Sequence, residues 1–367
     1  MKELLMRAKL PFFQTTILAN FIQTGVFVFN LPRLLAENIG TNGWAALLIC
    51  SAVASCNLFL ISLVYRFGKG KSIFDITKSA LPNFIIIPFF CILAAFWGIL
   101  GSLIGKDFIL ISTSLSFRSL PPIYLYLLLE LLVFLLLSKG IFSISNSAVI
   151  AFFLLTCNFL LLFYARKDFD LSRMTPFWFK EVDHTLMGWF QIYSAFLGYE
   201  LCLLLFPYVD EKSHLMRGFQ IANLITTASY ILVSFISFGF FSLHQLQHMK
   251  FPVLNLLSYM ELPFVKRVDD LIFNLSLLRV IVSNVMFAWA SAETIRWLFP
   301  AAKFRSTPYV VLVILAVVSF FAIPTTLEET EPWIFRFGIA EAAVAVFLPI
   351  VLLTILLINK RKGQNYA

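Results

Sequence analysis

The run Thr185–Val209, TLMGWFQIYSAFLGYELCLLLFPYV, restricts the fold of this chain more than any other stretch. It is apolar and long enough to cross a bilayer, for which about 20 residues suffice. Its middle nevertheless holds Gly198-Tyr199-Glu200, a helix weakener beside an ionisable side chain. A carboxylate near mid-membrane costs about 2.5–3.5 kcal/mol on insertion scales, so it faces a cavity or a partner. A helix that loosens at Gly198 frees backbone N–H and C=O groups, tolerated at that depth only inside protein or along a cavity. Leu10–Arg33 repeats the pattern, with Gln23-Thr24-Gly25 about as far into its own apolar run. Two interrupted spans in matching halves of a chain point to a transporter-type binding site.

Composition agrees. Of 367 residues, 60% are hydrophobic and 13% charged, with a mean hydropathy of +0.88. No soluble domain needs that much apolar surface, so the chain reads as a polytopic helical membrane protein. The net charge of +8 lies in short loops and tails and does not indicate a nucleic-acid partner. Cys50, Cys56, Cys91, Cys157 and Cys202 all fall inside apolar runs, the placement of buried free thiols rather than of a disulfide framework. Lys2, Arg7 and Lys9 precede the first apolar run, but no small-residue cleavage site follows it, so that run is read as a span rather than a signal peptide.

Apolar length predicts ten spans, at 11–32, 43–65, 82–104, 121–138, 142–165, 185–208, 217–242, 268–298, 307–326 and 333–359. The basic residues orient them. The N-terminal trio, Arg66, Lys69, Lys71, Lys78, Lys139, Lys212, Arg217, Lys303, Arg305 and Lys360-Arg361-Lys362 collect on one side, which predicts N-in and C-in. Arg33, Lys106, Arg118, Lys250, the 165–184 loop with its four basic residues and the acidic turn Glu328, Glu329, Glu331 fall outside. A single membrane domain then divides into a five-span half at 1–165 and an inverted five-span half at 185–367, joined by the outer loop 166–184. Each half begins with its interrupted span, and Gly25 and Gly198 are 198 − 25 = 173 residues apart. The segment FPVLNLLSYMEL (251–262) is apolar but too short to cross, so it is expected along the interface or over the outer mouth.

The stretches QTGVFVFNLPR (23–33), FLGYELCLLLFPYV (196–209) and FPVLNLLSYMELPFVKRVDDL (251–271) resemble the B subunits of the nutrient germinant receptors of spore-forming bacteria. Those proteins are germination permeases related to amino acid permeases of the APC superfamily. The resemblance covers essentially the whole chain. Two places depart from the family pattern. Lys266 stands where an acidic residue is usual, and Gly140-Ile141-Phe142 with Asn146 replaces a G-x-E followed by an arginine. The resemblance implies an all-α LeuT-type 5+5 inverted repeat, with helices 1 and 6 broken around a small nutrient, commonly an amino acid. It further implies a complex with an A and a C subunit in the spore inner membrane, where ligand binding leads to germination.

Such a site needs few side chains. An amino acid's carboxylate can be met by free N–H groups and the positive end of a half-helix after Gly25 or Gly198. Thr24, Gly25 and Val26 in the first span, and Gly198, Tyr199 and Glu200 in the sixth, are the primary ligand-binding candidates. Close helix packing is the competing role for either glycine, a structural hydrogen bond for Glu200, and packing for Tyr199. Trp97 and Gly101 in the third span, and Asn284 and Phe287 in the eighth, are candidate walls. Arg279 lies about 16 Å into the eighth span at 1.5 Å per residue. It is expected to form a structural or gating pair with Glu341 or Glu130, which reach similar depth, because an unpaired intramembrane charge is costly. Glu293 and Arg296 are spaced for a local pair. His244 and His248 share a helical face but lack the glutamate of a zinc-protease motif, so no metal or cofactor is expected.

The same fold allows a free-standing amino acid secondary transporter. The fifth span holds no lysine of the kind common in proton-coupled relatives. No hydrolase or metalloprotease motif is present, which argues against an intramembrane enzyme.

Overall fold

A computed structural model describes residues 9–162, 169–175, 179–180, 182, 184–209, 214–259, 267–300 and 306–361. Lys2, Arg7, Lys212, Lys303, Arg305, Lys266 and Lys362, and much of the 166–184 loop, lie outside the described residues. Each expected span corresponds to a helix or a broken helix. The first is broken, Phe12–Gln23, Val26–Phe29 and Leu31–Asn38, and so is the sixth, Leu186–Tyr193 to Phe206–Tyr208. The others are Ala46–Phe67, Asn83–Leu115, Pro122–Ser138, Ile141–Leu162, Leu215–Phe240, Val268–Leu298, Thr307–Ala322 and Leu327–Arg361. Among the described residues, five helices are individually long and apolar enough to cross a membrane. The two arms of the sixth span, bent by 49°, make a sixth crossing when taken together. Pro122–Ser138 and Thr307–Ala322 are shorter apolar helices.

Local sequence sets the boundaries. Pro82 precedes the third span with extended backbone, and Pro122 opens the fourth, where the fixed φ of proline suits a helix start. The Thr185 side chain accepts the Gly188 N–H at 3.0 Å and opens the sixth span. The third span runs on to Leu115, eleven residues past the expected end at 104. Lys106, placed by sequence in an outer loop, is therefore buried in a helix. Its Nζ donates to the Phe320 and Ile323 carbonyls (2.8 and 2.6 Å), capping the end of the ninth span. An ammonium can be held there because carbonyls left over at a helix end face it.

The start of the first span and the end of the last lie on one face. Leu10 bridges to Val209, Tyr65 packs edge-on to Phe206, Lys360 sits over Phe67, and Asn359 donates to Ser79. On the far face, Ser242 and Gln245 form a capping box that starts Leu243–His248, and Gln247 Nε2 donates to the Ala36 carbonyl. Pro252–Ser258 follows, with Val253, Leu254, Leu256 and Leu257 buried, so this segment caps the mouth of the molecule. The eighth and third spans pack closely through glycines. A Cβ at Gly101 would meet Phe287 Cβ at 3.0 Å and the Asn284 carbonyl oxygen at 3.1 Å. That small-residue contact is how membrane helices approach one another. Cys50, Cys56, Cys91 and Cys202 are free; the side chain of Cys157 lies outside the described residues.

Candidate functional site

The first span unwinds because nothing continues its ladder past Thr24. Both the N–H and the Oγ1 of Thr24 donate to the Asn20 carbonyl, at 2.9 and 2.6 Å, and Gly25 follows with extended backbone. In the sixth span, Leu197 is extended and Gly198 is left-handed at φ +98°, where only glycine sits without strain. Glu200 folds back, and its Oε2 accepts the Gly198 N–H at 2.9 Å. The two breaks touch: a Cβ on Gly198 would lie 2.5 Å from Ile22 Cγ2 and 3.1 Å from the Ile22 carbonyl oxygen.

Backbone groups released by these breaks need partners at this depth, and the seventh span supplies them. Tyr230 donates its single hydroxyl proton between the Gln23 carbonyl (3.1 Å) and the Ala195 carbonyl (3.0 Å), one from each interrupted span. Gln23 Nε2 donates to the Phe196 carbonyl at 3.0 Å and to Asn223 Oδ1 at 3.2 Å, and Thr226 bonds both Asn20 and Gln23. Asn223 Nδ2 in turn reaches Ser51 and Ser55 on the second span. Sequence reasoning passed over this clamp. Its signal was Asn223, Thr226, Thr227 and Tyr230 at helical spacing within one apolar run.

Two cavities share Gly25 and Val26 in their walls. A central one, about 60 Å³, lies between the breaks. Its walls include Gly25, Val26, Ala195, Leu197, Ser283 and Phe287, with two carboxyls, Asp107 and Glu341. The other, about 70 Å³, lies on another side of the first span and is walled by Phe29, Leu155, Val233, Leu257, Ser276 and Arg279. A water needs about 10–15 Å³ on this measure, so each cavity has room for several. Gly25 has nothing within 4 Å of where a Cβ would stand, so its bare backbone faces open space. A far-face vestibule of about 40 Å³ continues the central cavity through Val26, Phe27, Asp107, Ser194 and Ile334. Arg33, Lys250, Phe251 and Glu331 surround it. Arg33 pairs with Glu331 across that vestibule and with Glu37 on its own helix at 3.6 Å. On the terminal face the route is strapped: Leu10 N–H donates to the Tyr208 carbonyl at 2.9 Å. Tyr208 donates to Glu293 at 2.5 Å, and Glu293 pairs with Arg296 at 3.0 Å.

Of the residues singled out by sequence, Gly25, Val26 and Phe287 line the central cavity. Thr24 is buried at the break without facing that cavity. Gly198 packs on Ile22, and Gly101 packs on the eighth span. Tyr199 bonds Asn57 (2.7 Å) and Tyr193 (2.6 Å), a structural network that also ties Asn57 to the Ala345 carbonyl. Trp97 is buried, its indole N–H without a partner. Asn284 turns toward the fourth span and donates to Glu130 at 3.0 Å. The expected pair between Arg279 and Glu341 or Glu130 is not formed. Glu341 lies against Glu200, each carboxyl keeping one buried oxygen that no donor meets. Arg279 stands with its guanidinium carbon 5.2 Å from the Phe21 ring centroid. Equal depth put these charges in one layer of the membrane, but their helical faces point them at different neighbours. Asn146 accepts from Gln14 at 2.7 Å, so the fifth span still contacts the first at the position that departs from the family pattern. The His244 and His248 rings stack 4.3 Å apart on the far face.

Comparison with known proteins places this geometry. A family model described as spore germination protein matches residues 9–330. Spore germination protein GerQB of Bacillus cereus is 20% identical over 356 residues, spanning 90% of this chain and 91% of that one. Spore germination protein A2 of Bacillus subtilis (strain 168) is 20% identical over 370 residues, spanning 96% and 97%. Among solved structures, the nucleobase-cation-symport-1 family transporter Mhp1 matches in a closed conformation with bromovinylhydantoin bound. Its TM-score is 0.62 at 14% identity, covering 95% of this chain and 78% of that one. The inward-facing form of Mhp1 matches with a TM-score of 0.58 at 13% identity, covering 96% and 80%. A manganese transporter of Eremococcus coleocola matches with a TM-score of 0.56 at 12% identity, covering 95% and 77%. These likenesses identify the fold: a LeuT-type helical membrane fold, with inverted five-helix repeats and broken helices 1 and 6.

Proposed function

Because the chain belongs to the spore germination protein family, we propose that it is the nutrient-sensing subunit of a spore germinant receptor. A small nutrient, an amino acid, binds between the interrupted first and sixth spans, and binding is passed to A and C subunits in the spore inner membrane. The chain would lie there with both termini inside, its two inverted halves at 1–165 and 185–367. The observation that carries this reading is the central cavity itself. It sits where two broken helices expose backbone, it adjoins the open face of Gly25, and a vestibule on the far face leads to it. Sites of this kind place ligand groups against half-helix ends near the membrane midplane. The wall is mostly apolar, with Leu100, Ile104 and Phe287, and two carboxyls complement an ammonium.

Spores carrying Gly25→Trp test it. The Cβ of the new side chain meets no atom within 4 Å and its ring enters the cavities beside Gly25, so the subunit should persist in the membrane while the response to amino acids is lost. Spores that keep a normal response would contradict the reading. A free-standing transporter is the second reading, supported by the ion-paired vestibule on one face and the strapped closure on the other. Uptake of a labelled amino acid into liposomes holding this chain alone would favour it.

A further inference from the structure

The interruption of the first span separates two cavities of opposite character. Asp107 and Glu341 stand on the wall of the central one. The neighbouring cavity is apolar apart from Ser276 and Arg279. Among the described residues Arg279 has neither an ion pair nor a hydrogen-bond partner, and its Nε is buried with nothing to donate to. Around it stand the Phe21 ring and Tyr230, which already spends its hydroxyl on two carbonyls. The carboxyls at similar depth are engaged elsewhere. Glu130 accepts from Asn284, and Glu200 and Glu341 lie against each other.

An unpaired guanidinium at membrane depth is costly, and a chain that keeps one needs a partner from outside itself. The planar fork of arginine matches a carboxylate with two parallel N–H···O bonds, which makes the missing partner a carboxylate rather than a neutral group. The ring of Phe21 holds the guanidinium without satisfying its donors. Gly25 and Val26 are common to both cavities, and at Gly25 no side chain stands between ligand and backbone.

We propose that Arg279 anchors the carboxylate of a small acid in the second cavity, walled by Gly25, Val26, Ser276 and Arg279, across the first span from the central one. The ligand class is then a small carboxylic acid, of which an amino acid is one, and an amide or ester of the same body is excluded. This assignment rests on reading the helix interruptions as the nutrient site.

The test is thermal stabilisation of the purified full-length chain by L-alanine, L-leucine and L-phenylalanine, each set against its C-terminal amide. At least one acid should stabilise the parent, its amide needing at least a tenfold higher concentration. Arg279→Met should erase that preference without lowering the melting temperature of the ligand-free protein, because the charge it removes has no internal partner. Ser276→Phe, which fills the same cavity and keeps the arginine, should also lose the response to acid. A preference for acid that survives Arg279→Met or Ser276→Phe would overturn the assignment. So would equal stabilisation by sodium chloride, since a bare halide would then suffice. Acid and amide acting alike, both abolished by Gly25→Trp, would rule out Arg279 as the anchor and leave the central cavity standing. No stabilisation by any of the six compounds, or an acid response untouched by Gly25→Trp, would sink both.

Discussion

At the scale of single residues, the two glycines that interrupt the spans have different physical roles. Gly198 needs its left-handed backbone and its missing Cβ, because Ile22 occupies the space a methyl would take. Gly25 needs neither; its Cβ position is empty. Gly198→Ala should therefore destabilise by about 1–2 kcal/mol for the backbone and about 1–3 kcal/mol more for overpacking. Gly25→Ala should leave stability within about 1 kcal/mol. Thermal unfolding of both variants in one detergent checks this, and equal losses would show that the two positions are not distinguished as described. The interruptions were legible because glycine weakens a helix, and a polar or ionisable neighbour inside a long apolar run demands a buried partner or a cavity. The partner of Arg279 was not. Depth can be counted from a helix end, but facing depends on azimuth and on which helix stands next. For the same reason Ser283 and Phe287, four residues apart, reach the central cavity while Asn284 points to Glu130.

At the scale of elements, the seventh span acts as a clamp. Its Tyr230 hydroxyl is shared between carbonyls from both broken helices, and its Asn223 and Thr226 hold Gln23 and Asn20. Tyr230→Phe leaves those two carbonyls without that donor at a depth with little water. The expected loss is about 1–3 kcal/mol, with a lower melting temperature; a change under about 0.5 kcal/mol would mean that the breaks are held by other contacts. Most spans could be located by apolar length, and the eighth ends where it was expected, at 268 and 298. The third was cut short at Lys106-Asp107, because two adjacent charges look like a loop. In the fold the lysine caps a neighbouring helix and the aspartate lines the cavity, so both charges have reasons to be inside.

At the scale of the whole molecule, the described helices and broken helices surround a central cavity that a vestibule joins on the far face and that is strapped on the terminal face. Arg33 and Glu331 tie the far-face arm of the first span to the start of the tenth. Leu10, Tyr208 and Glu293 tie the start of the first span to the end of the sixth and to the eighth. A ligand seated at Gly25 lies between these two ties, where it can bias one against the other. That arrangement suits a sensor as well as a carrier, because a ligand shifts such an equilibrium only by its differential affinity for the two states. The central claim is that a nutrient occupies the cavity beside Gly25. It is tested most directly by the melting temperature of the purified protein across amino acids, sugars and nucleosides, in the parent and in Gly25→Trp. A ligand at a hundred times its Kd stabilises by about 2.7 kcal/mol, which shifts the transition by several degrees. Such a shift is expected with an amino acid in the parent and none in Gly25→Trp, whose ligand-free stability matches the parent's. An amino acid that stabilises both proteins equally would place the binding site elsewhere and contradict the claim.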